Sequence, residues 1–295
     1  MSKMKLPKSF LAPIFGYTNA PFRLLCQKHG AEACFVPLIH VSRIVHGSKL
    51  IDVIPEEKNL GIQLSGSNPK HFADAVKIIE KKYHFIKRFD VNCGCPSNKA
   101  VECNLGSALM KKPKTIANII KTMKKETDLQ ISVKTRIFKD KKETLNLAEA
   151  IEDAGTDFII VHGRTPSQGY SGAANWEMIK EVNESISIPL VGNGDIRSAK
   201  EGKQKIKQGF CSSFMIGRAA MQNPMLFKDK IELDYGKRKK LFLEYVELCK
   251  DVDCLDISDL RIKSTQFFRN IPHSASLRNE LFKSKIVEDL IAKLE

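Results

Sequence analysis

The chain has no long hydrophobic run and no apolar segment at its beginning. No stretch reaches the roughly 18 uninterrupted apolar residues that a membrane-spanning helix needs. Residues 1–8 are basic but lack the apolar core of a secretion signal. We therefore expect a cytoplasmic protein without a membrane partner.

Cysteine pairs of the zinc-binding type are also missing. Among eight cysteines the only close pair is Cys93 and Cys95, separated by a single residue, whereas structural zinc sites favour Cys-x-x-Cys. A chain of 295 residues is long enough to build a core without disulfides. We expect no metal, and we interpret five other cysteines as buried apolar residues or free thiols: Cys26, Cys34, Cys211, Cys249 and Cys254.

Acidic residues are too few to balance the basic ones. Lysine and arginine number 48 against 34 acidic residues, which gives a formal net charge of +14. Such an excess is typical of proteins that bind polyanions, above all nucleic acids, but a lysine-rich solvated surface is an equally ordinary explanation. Residues 228–295 hold 14 basic and 13 acidic residues, so the excess lies almost entirely before them.

Short apolar segments that alternate with helical patterns predict the fold. Strand followed by helix, repeated eight times over about 225 residues, indicates a parallel sheet closed into a barrel. We therefore predict an α/β fold, a (β/α)8 TIM barrel followed by a small all-helical C-terminal domain. The predicted strands are residues 10–13, 33–39, 60–64, 86–92, 130–135, 158–163, 189–193 and 212–217.

The pattern changes after residue 227. From there the sequence shows no strand signal, and apolar residues at helical spacing predict helices over 236–250, 256–270 and 275–294. We expect two domains, a catalytic barrel over residues 1–227 and a helical domain over residues 228–295. No surface stripe indicates a dimer interface, so we expect a monomer.

Active sites of such barrels lie at the carboxyl ends of the strands. After the fourth strand, Gly94 and Pro96 predict a tight turn that presents Cys95 to the barrel mouth. A free thiol with an ordinary pKa near ~8.5 is mostly protonated at neutral pH and can donate a proton. An inert loop thiol is the alternative interpretation.

Other polar groups follow the later strands. Lys134 ends the fifth strand and His162 the sixth, and a lysine in a barrel mouth needs an anion to offset its desolvation. Glycine-rich turns open helices after the seventh and eighth strands, where barrels commonly bind phosphate, and Arg218 would add a bidentate contact. The loops predict a phosphorylated planar cofactor across the mouth.

With these loops, the sequence resembles the dihydrouridine synthase family. The resemblance covers residues 9–227 well and the remainder loosely. Its most specific motifs are Asn-x-Gly-Cys-Pro at 92–96 and His-x-Arg-Thr at 162–165. Further matching segments are residues 11–23, 63–66, 90–99, 133–136, 175–176, 192–195 and 215–218.

The resemblance implies a reaction and a set of site residues. It implies FMN-mediated reduction of the C5=C6 bond of uridine in tRNA to 5,6-dihydrouridine, with NADPH (or NADH) as electron donor and Cys95 as proton donor. The helical domain would help to hold the tRNA. The implied FMN contacts are Pro13, Ile14, Phe15, Gln63, Lys134, His162, Asn193, Gly194, Asp195, Gly217 and Arg218. The implied substrate contacts are Asn92, Lys99, Arg136 and Arg164.

The charge excess adds candidates for RNA phosphate binding. Lys139, Lys141 and Lys142 follow the fifth strand on the catalytic face, as does Arg136. These lysines could instead only solvate a loop. The lysines around residues 111–114 and 121–125 are interpreted as the solvated surface of an outer helix.

The sequence departs from the family pattern at residue 19 and at residues 36–38. Two other functions compete with the one that the resemblance implies. Asn19 stands where the family usually has aspartate, and residues 36–38 read Val-Pro-Leu in place of a Ser/Thr-Glu-Met pattern. A small-molecule flavin barrel of the dihydroorotate dehydrogenase type shares the pyrimidine chemistry, but it would not need the basic charge or the helical tail. A non-catalytic RNA-binding barrel would not need Cys95, Lys134 and His162 together.

Overall fold

Eight parallel strands close into a barrel. The computed structural model describes residues 6–47, 51–229, 232–272 and 274–294. Each strand pairs with the next, and the last pairs with the first, as Phe10 opposite Met215 shows. The strands are β1 (Ser9–Leu11), β2 (Ala33–His40), β3 (Leu60–Ser65), β4 (Arg88–Cys93), β5 (Gln130–Arg136), β6 (Phe158–His162), β7 (Leu190–Asn193) and β8 (Ser213–Ile216). All eight predicted strands are therefore confirmed.

Helices surround the barrel on the outside. They are α1 (Ala20–Lys28), α2 (Val41–Val45), α3 (Pro69–Lys82), α4 (Asn98–Glu102), α5 (Pro113–Lys124), α6 (Lys141–Asp153), α7 (Trp176–Ser185), α8 (Ala199–Lys207) and α9 (Arg218–Gln222). Proline in the first turn begins α3 and α5, and Gly155 in a left-handed conformation follows α6. Two 3-10 helices, Gly106–Lys111 and Pro224–Lys228, complete the connections.

Aromatic side chains fill the barrel interior away from the mouth. Phe10, Phe35 and Phe158 are fully buried there, and the rings of Phe10 and Phe35 lie 6.0 Å apart. Gly61 makes room for them, because a Cβ at this position would lie 2.5 Å from the Phe35 ring. The packed interior leaves the carboxyl ends of the strands as the open end of the barrel.

Strand β2 carries the departure at residues 36–38. Its pairing with β3 shifts register between Val36 and Ile39. Pro37 has no N–H to donate to a neighbouring strand, so an irregularity here is expected. The strand ends at His40, whose ring nitrogen accepts a hydrogen bond from Ser42 N–H and begins α2.

The described residues from 232 to 294 form four helices instead of the three that were predicted. They are α10 (Tyr235–Asp251), α11 (Ile257–Phe267), α12 (Ser274–Lys283) and α13 (Val287–Ala292). The prediction of one helix over 275–294 was wrong, because the chain breaks after Lys283. The Ser284 carbonyl accepts from Arg261 Nε, and its hydroxyl is bound by Lys293 Nζ. These tertiary contacts replace the helical hydrogen bonds at the break.

A buried polar cluster joins this region to the barrel. The Tyr245 hydroxyl on α10 donates to Asp259 on α11 and lies 2.8 Å from Nδ2 of Asn19, the residue that caps α1. Lys263, fully buried, donates to the Tyr17 carbonyl at 2.6 Å and to Asp259 at 2.8 Å. Asn19 thus has a structural role at the position where the family usually has aspartate.

Candidate active site

A cavity of about 1050 Å³ opens at the carboxyl ends of the strands and reaches the helical region. Barrel residues on its wall include Lys134, Arg136, His162, Asn193, Gly194, Asp195, Gly217 and Arg218. On the other side it is lined by Arg238, Gln266, Arg269 and Asn270. All seven predicted cofactor residues from β5 onward therefore line one cavity, and Pro13 and Ile14 join them from the end of β1. Phe15, Gln63 and Cys95 are not on its wall.

The loop after β4 holds Cys95 by its backbone on both sides. Its N–H donates to Asn92 Oδ1 at 3.1 Å, and its carbonyl accepts from Ser107 N–H at 2.9 Å. Gly106 adopts φ +58°, and a Cβ there would lie 2.5 Å from the Cys95 carbonyl oxygen. Only glycine therefore lets the 3-10 helix pack on this loop. The Cys95 thiol is partly exposed and lies 3.5 Å from Ser97 Oγ.

The side chains below this loop form a buried hydrogen-bonded network. Gln63 uses both ends of its amide, donating to Asp90 and accepting from Asn92, each at 2.8 Å. Asp90 also accepts from Ser132 Oγ at 2.6 Å. Gln63 and Asn92, predicted as cofactor and substrate contacts, lie in this network beside the cavity. Any direct contact with a ligand stays a prediction.

Burial shifts the pKa values of two groups at the bottom of the mouth in opposite directions. Burial raises the pKa of the Asp90 carboxyl, and the nearby Lys134 charge partly opposes this rise. Burial, together with the positive charge of Arg136, lowers the pKa of Lys134, while Asp90 opposes that change. Each group therefore stabilises the charged form of the other.

His162 is a neutral imidazole within a group of cations. Burial, followed by the charges of Lys134, Arg136, Arg164 and Arg218, lowers the pKa of His162 to about 2. The ring therefore carries no charge at neutral pH. A pocket with this cationic field favours an anion, and it raises the free-energy cost of any further positive charge.

Arg164 connects the loops that follow β6 and β7. It is 2% exposed, and its Nη2 binds both carboxylate oxygens of Asp195, at 2.7 and 2.8 Å. Its Nε donates to the carbonyls of Ser171 and Gly172. The remaining Nη1 is buried and has no hydrogen-bond partner among the described residues. Its predicted contact with substrate stays a prediction, but its observed contacts are with the loops.

The turn after β7 requires its glycine. Gly194 adopts φ +127°, and a Cβ there would lie 2.6 Å from Ala174 Cβ and 3.4 Å from His162 Nε2. Asp195, also left-handed at φ +56°, accepts from Ala174 N–H and forms an ion pair with Arg218 at 3.3 Å. Arg218 nevertheless keeps 47% of its side chain exposed. Its guanidinium therefore remains accessible to a ligand.

Arg136 connects the loops after β4 and β6. Its Nε donates to the Gly94 carbonyl at 2.9 Å, and its Nη1 donates to the carbonyls of Thr165 and Gly169. It is only 5% exposed although it lines the cavity. Its observed contacts thus bind the loop that carries Cys95 to the loop after β6.

Tyr170 is a site residue that the sequence interpretation missed. It lines the cavity, is 60% exposed, and lies with its ring centre 4.6 Å from the Arg218 guanidinium carbon and 5.9 Å from that of Arg136. Its position five residues after His-Gly-Arg-Thr was the available signal. Asp90 was noted only as part of a motif, without a role of its own.

The remaining predicted contacts lie at the rim. Phe15 is 74% exposed, and the side chains of Lys99, Lys139, Lys141 and Lys142 are exposed as well. Lys141 pairs with Glu181 at 2.8 Å. Lys139 precedes α6, and Lys141 and Lys142 begin it, so these charges lie on the catalytic side of the barrel.

The described residues include neither a membrane-spanning helix nor a cluster of metal ligands. No helix there is both long and apolar enough to cross a membrane. Within the same residues, no group of three or more His, Cys, Asp or Glu side chains could hold a metal ion.

Solved structures with similar coordinates share the fold. The histamine dehydrogenase from Rhizobium sp. 4-9 aligns with a TM-score of 0.57 at 12% identity, over 82% of this chain and 49% of that chain. This chain thus spans about half the length of that structure. At such low identity the similarity supports the barrel fold alone.

Sequence comparisons are more specific. Residues 10–289 match the family model described as dihydrouridine synthase. A probable tRNA-dihydrouridine synthase of Aquifex aeolicus (strain VF5) is 30% identical, over 97% of this chain and 94% of that protein. The tRNA-dihydrouridine synthase B of Pasteurella multocida (strain Pm70) is 33% identical, over 81% of this chain and 76% of its own length. The chain therefore belongs to the dihydrouridine synthase family.

Proposed function

We propose that this protein is an FMN-dependent tRNA-dihydrouridine synthase that reduces uridine to 5,6-dihydrouridine with NADPH or NADH. The observation that carries the proposal is a partly exposed thiol, Cys95, fixed by its backbone on a loop that is also bound by Arg136, a residue on the wall of a strongly cationic cavity. Family membership supplies the reaction class. The cavity supplies an environment for an anionic cofactor and a polyanionic substrate.

The residues on the cavity wall fit a flavin mononucleotide. Its phosphate needs cationic and N–H donors, and the exposed guanidinium of Arg218 lies beside Gly217 and Gly194 at the starts of two connections. The buried, unpartnered Nη1 of Arg164 is a further donor near Asp195. Lys134 and neutral His162 would contact the ring system, with Pro13, Ile14, Phe15, Gln63, Asn193 and Asp195 around it.

The reaction needs one hydride and one proton. FMN, when bound and reduced by the nicotinamide cofactor, supplies the hydride for C6 of the uracil. The Cys95 thiol donates its proton to C5, so that both carbons of the double bond become saturated. The resulting thiolate takes a proton from solvent, which the partial exposure of Cys95 allows.

The substrate must leave its own stacked environment to reach Cys95. A uridine within folded RNA is inaccessible to groups inside a barrel mouth, so it has to be flipped out. Exposed Lys99, Lys139, Lys141 and Lys142 would hold phosphates along the rim. The cavity continues to Arg238 and Arg269 in the helical region. The proposed division is a catalytic barrel over residues 1–227 and a helical domain over residues 228–295 that holds the RNA. We further propose that the protein is a cytoplasmic monomer.

The test is a reconstituted reaction. Purified protein is incubated with FMN, NADPH and unmodified tRNA, and the digested RNA is analysed by mass spectrometry for a nucleoside two hydrogens heavier than uridine. Free uridine and orotate serve as parallel substrates. Dihydrouridine formed only from tRNA supports the proposal. Reduction of a free pyrimidine without reduction of tRNA would overturn it and favour a small-molecule enzyme.

A further inference from the structure

A continuous chain of hydrogen bonds runs from the barrel interior to the loop that carries Cys95. Asp90 Oδ2 accepts from Gln63 Nε2 at 2.8 Å. Gln63 Oε1 accepts from Asn92 Nδ2 at 2.8 Å. Asn92 Oδ1 then accepts from Cys95 N–H at 3.1 Å. Resting on the proposed function of Cys95, we propose that Asp90 is a positioning residue, which fixes the Cys95 loop through Gln63 and Asn92.

The argument depends on the direction of each hydrogen bond. Asp90 accepts at both of its carboxyl oxygens, from Gln63 Nε2 and from Ser132 Oγ, so Gln63 turns its NH2 group toward Asp90 and its oxygen toward Asn92. Asn92 must then donate to Gln63 and present its own oxygen to the loop. That oxygen is the acceptor for the N–H groups of both Cys95 and Gly94. A reversed amide would place its NH2 against these two donors and leave them unsatisfied.

The position of Asp90 in its strand makes it a fixed starting point. It is completely buried, and Asp90 and Asn92 are two residues apart in β4, so both side chains point to the barrel interior. Its second oxygen is held by Ser132 Oγ at 2.6 Å. Lys134, opposite Asn92 in the neighbouring strand, supplies the positive charge that favours the ionised carboxylate. Whichever of its two oxygens faces Gln63, the carboxylate presents an acceptor there, and this acceptor determines the orientation of both amides.

Two substitutions at residue 90 separate hydrogen bonding from charge. Asp90→Asn removes the charge but can still accept from Gln63 while its NH2 donates to Ser132 Oγ, which keeps every donor satisfied. Asp90→Leu keeps the branching of the side chain at Cγ but accepts no hydrogen bond. Gln63→Met is the second variant, used if Asp90→Leu does not fold. It breaks the chain at the next residue and leaves Asp90 in contact with Ser132. Ser132→Ala is the matched control, since it removes a hydrogen bond to Asp90 outside the chain.

The primary measurement needs neither flavin nor RNA. Amide hydrogen exchange of a peptide that spans residues 93–97 is followed in the flavin-free protein, together with the iodoacetamide alkylation rate of Cys95. Exposed Cys103 and Cys254 serve as internal references for alkylation. We expect both rates to rise on the order of tenfold in Asp90→Leu and Gln63→Met, the factor that corresponds to one lost hydrogen bond. We expect changes below about threefold in Asp90→Asn and Ser132→Ala.

A second measurement connects the loop to the reaction. Reoxidation of reduced flavin by tRNA should slow in Asp90→Leu more than flavin reduction by NADPH does, with rescue in Asp90→Asn. Unchanged exchange and alkylation in the leucine and methionine variants would overturn the inference. Equal effects in Asp90→Asn and Asp90→Leu would also overturn it, because charge beside Lys134 would then be the cause. If the wild-type protein reduces no tRNA, the proposed function fails, yet the exchange data still decide the positioning role.

Discussion

At the scale of the residue, Cys95 carries the most direct prediction. Cys95→Ala should lower the rate of dihydrouridine formation by about two to four orders of magnitude, the usual contribution of a positioned general acid. The substitution leaves the cationic cavity wall unchanged, so flavin content and tRNA affinity should stay at wild-type levels. Single-turnover kinetics with reduced enzyme provide the measurement. Cys103→Ala, at an exposed cysteine away from the loop, is the control.

Lys134 offers a second residue-scale test. It is a cation on the cavity wall, and Lys134→Ala removes one of the charges proposed to hold the anionic cofactor. We expect the protein to retain less flavin after purification and to bind added FMN about tenfold more weakly, which corresponds to about 1.4 kcal/mol. Fluorescence titration with FMN gives the dissociation constant. Flavin content equal to that of the wild type would contradict the proposed role.

His162 predicts a specific dependence of stability on pH. Its pKa is about 2 in the folded protein, whereas histidine in an unfolded chain has a pKa near 6.5. Below pH 6.5 the unfolded chain therefore binds more protons than the folded protein. The contribution of this group to the free energy of unfolding is complete above that pH. It falls by up to ~1.4 kcal/mol for each pH unit as the solution is acidified.

Urea denaturation between pH 7 and pH 4.5 measures this effect. His162→Gln does not titrate, so its free energy of unfolding should fall less steeply than that of the wild type over this range. Bound FMN should also reduce the steepness in the wild type, because a phosphate offsets the four cations that lower the His162 pKa. Identical slopes in the wild type and His162→Gln would show that another group controls the acid transition.

At the scale of the element, the contact of α10 and α11 with the start of α1 predicts how residue 19 affects stability. Tyr245 donates to Asp259 and also contacts Asn19, so Asn19→Asp would bring a second carboxylate to one phenol hydroxyl. The Nδ2 donor to that hydroxyl would be lost as well. We expect the substitution to reduce the free energy of unfolding by about 1–3 kcal/mol. Chemical denaturation gives the value.

The double variant Asn19→Asp with Asp259→Asn is the control for this prediction. It keeps a single carboxylate at the phenol, but Asp259→Asn also removes the charged partner of Lys263. We therefore expect the double variant to lose less free energy of unfolding than the two single variants lose in sum. If the double variant loses more free energy of unfolding than the two single variants lose in sum, the explanation by like-charge contact is contradicted. The departure at residue 19 would then have no electrostatic basis.

At the scale of the whole molecule, the position of the positive charge matters more than its amount. Lys139, Lys141 and Lys142 lie on the catalytic side, whereas Lys81, Lys121 and Lys207 lie in the last turns of α3, α5 and α8, at the opposite end. Replacing either set by alanine removes three positive charges. Only replacement of the first set should weaken tRNA binding. It should also reduce the slope of log affinity against log salt by up to about 2.

Filter binding at several salt concentrations measures this prediction. Equal losses in the two triple variants would indicate that net charge alone attracts the RNA. Net charge alone does not distinguish these sets. The predicted end of the fifth strand already placed Lys139, Lys141 and Lys142 on the catalytic face, and the helix directions in the structure place the other three lysines at the opposite end.

The sequence by itself determined the barrel, the positions of its eight strands and the family. Strand and helix periods are local properties, and motifs such as Asn-x-Gly-Cys-Pro are contiguous, so they can be read without the fold. The sequence did not reveal the break after Lys283. That break is stabilised by contacts of Ser284 with Arg261 and Lys293, and these contacts form only when the helices pack together.

Only the tertiary structure decided how the site residues support one another. Asp90, Gln63 and Asn92 come from two strands, and their hydrogen-bonded chain exists only when β3 and β4 pair. Arg136 and Arg164 were expected at the substrate, yet Arg136 is bound by carbonyls of two remote loops, and Arg164 by carbonyls of its own loop and by the remote Asp195 carboxylate. Tyr170 joined the site through its contact with Arg218. Burial and hydrogen-bond direction arise from such long-range packing, so a sequence pattern alone does not contain them.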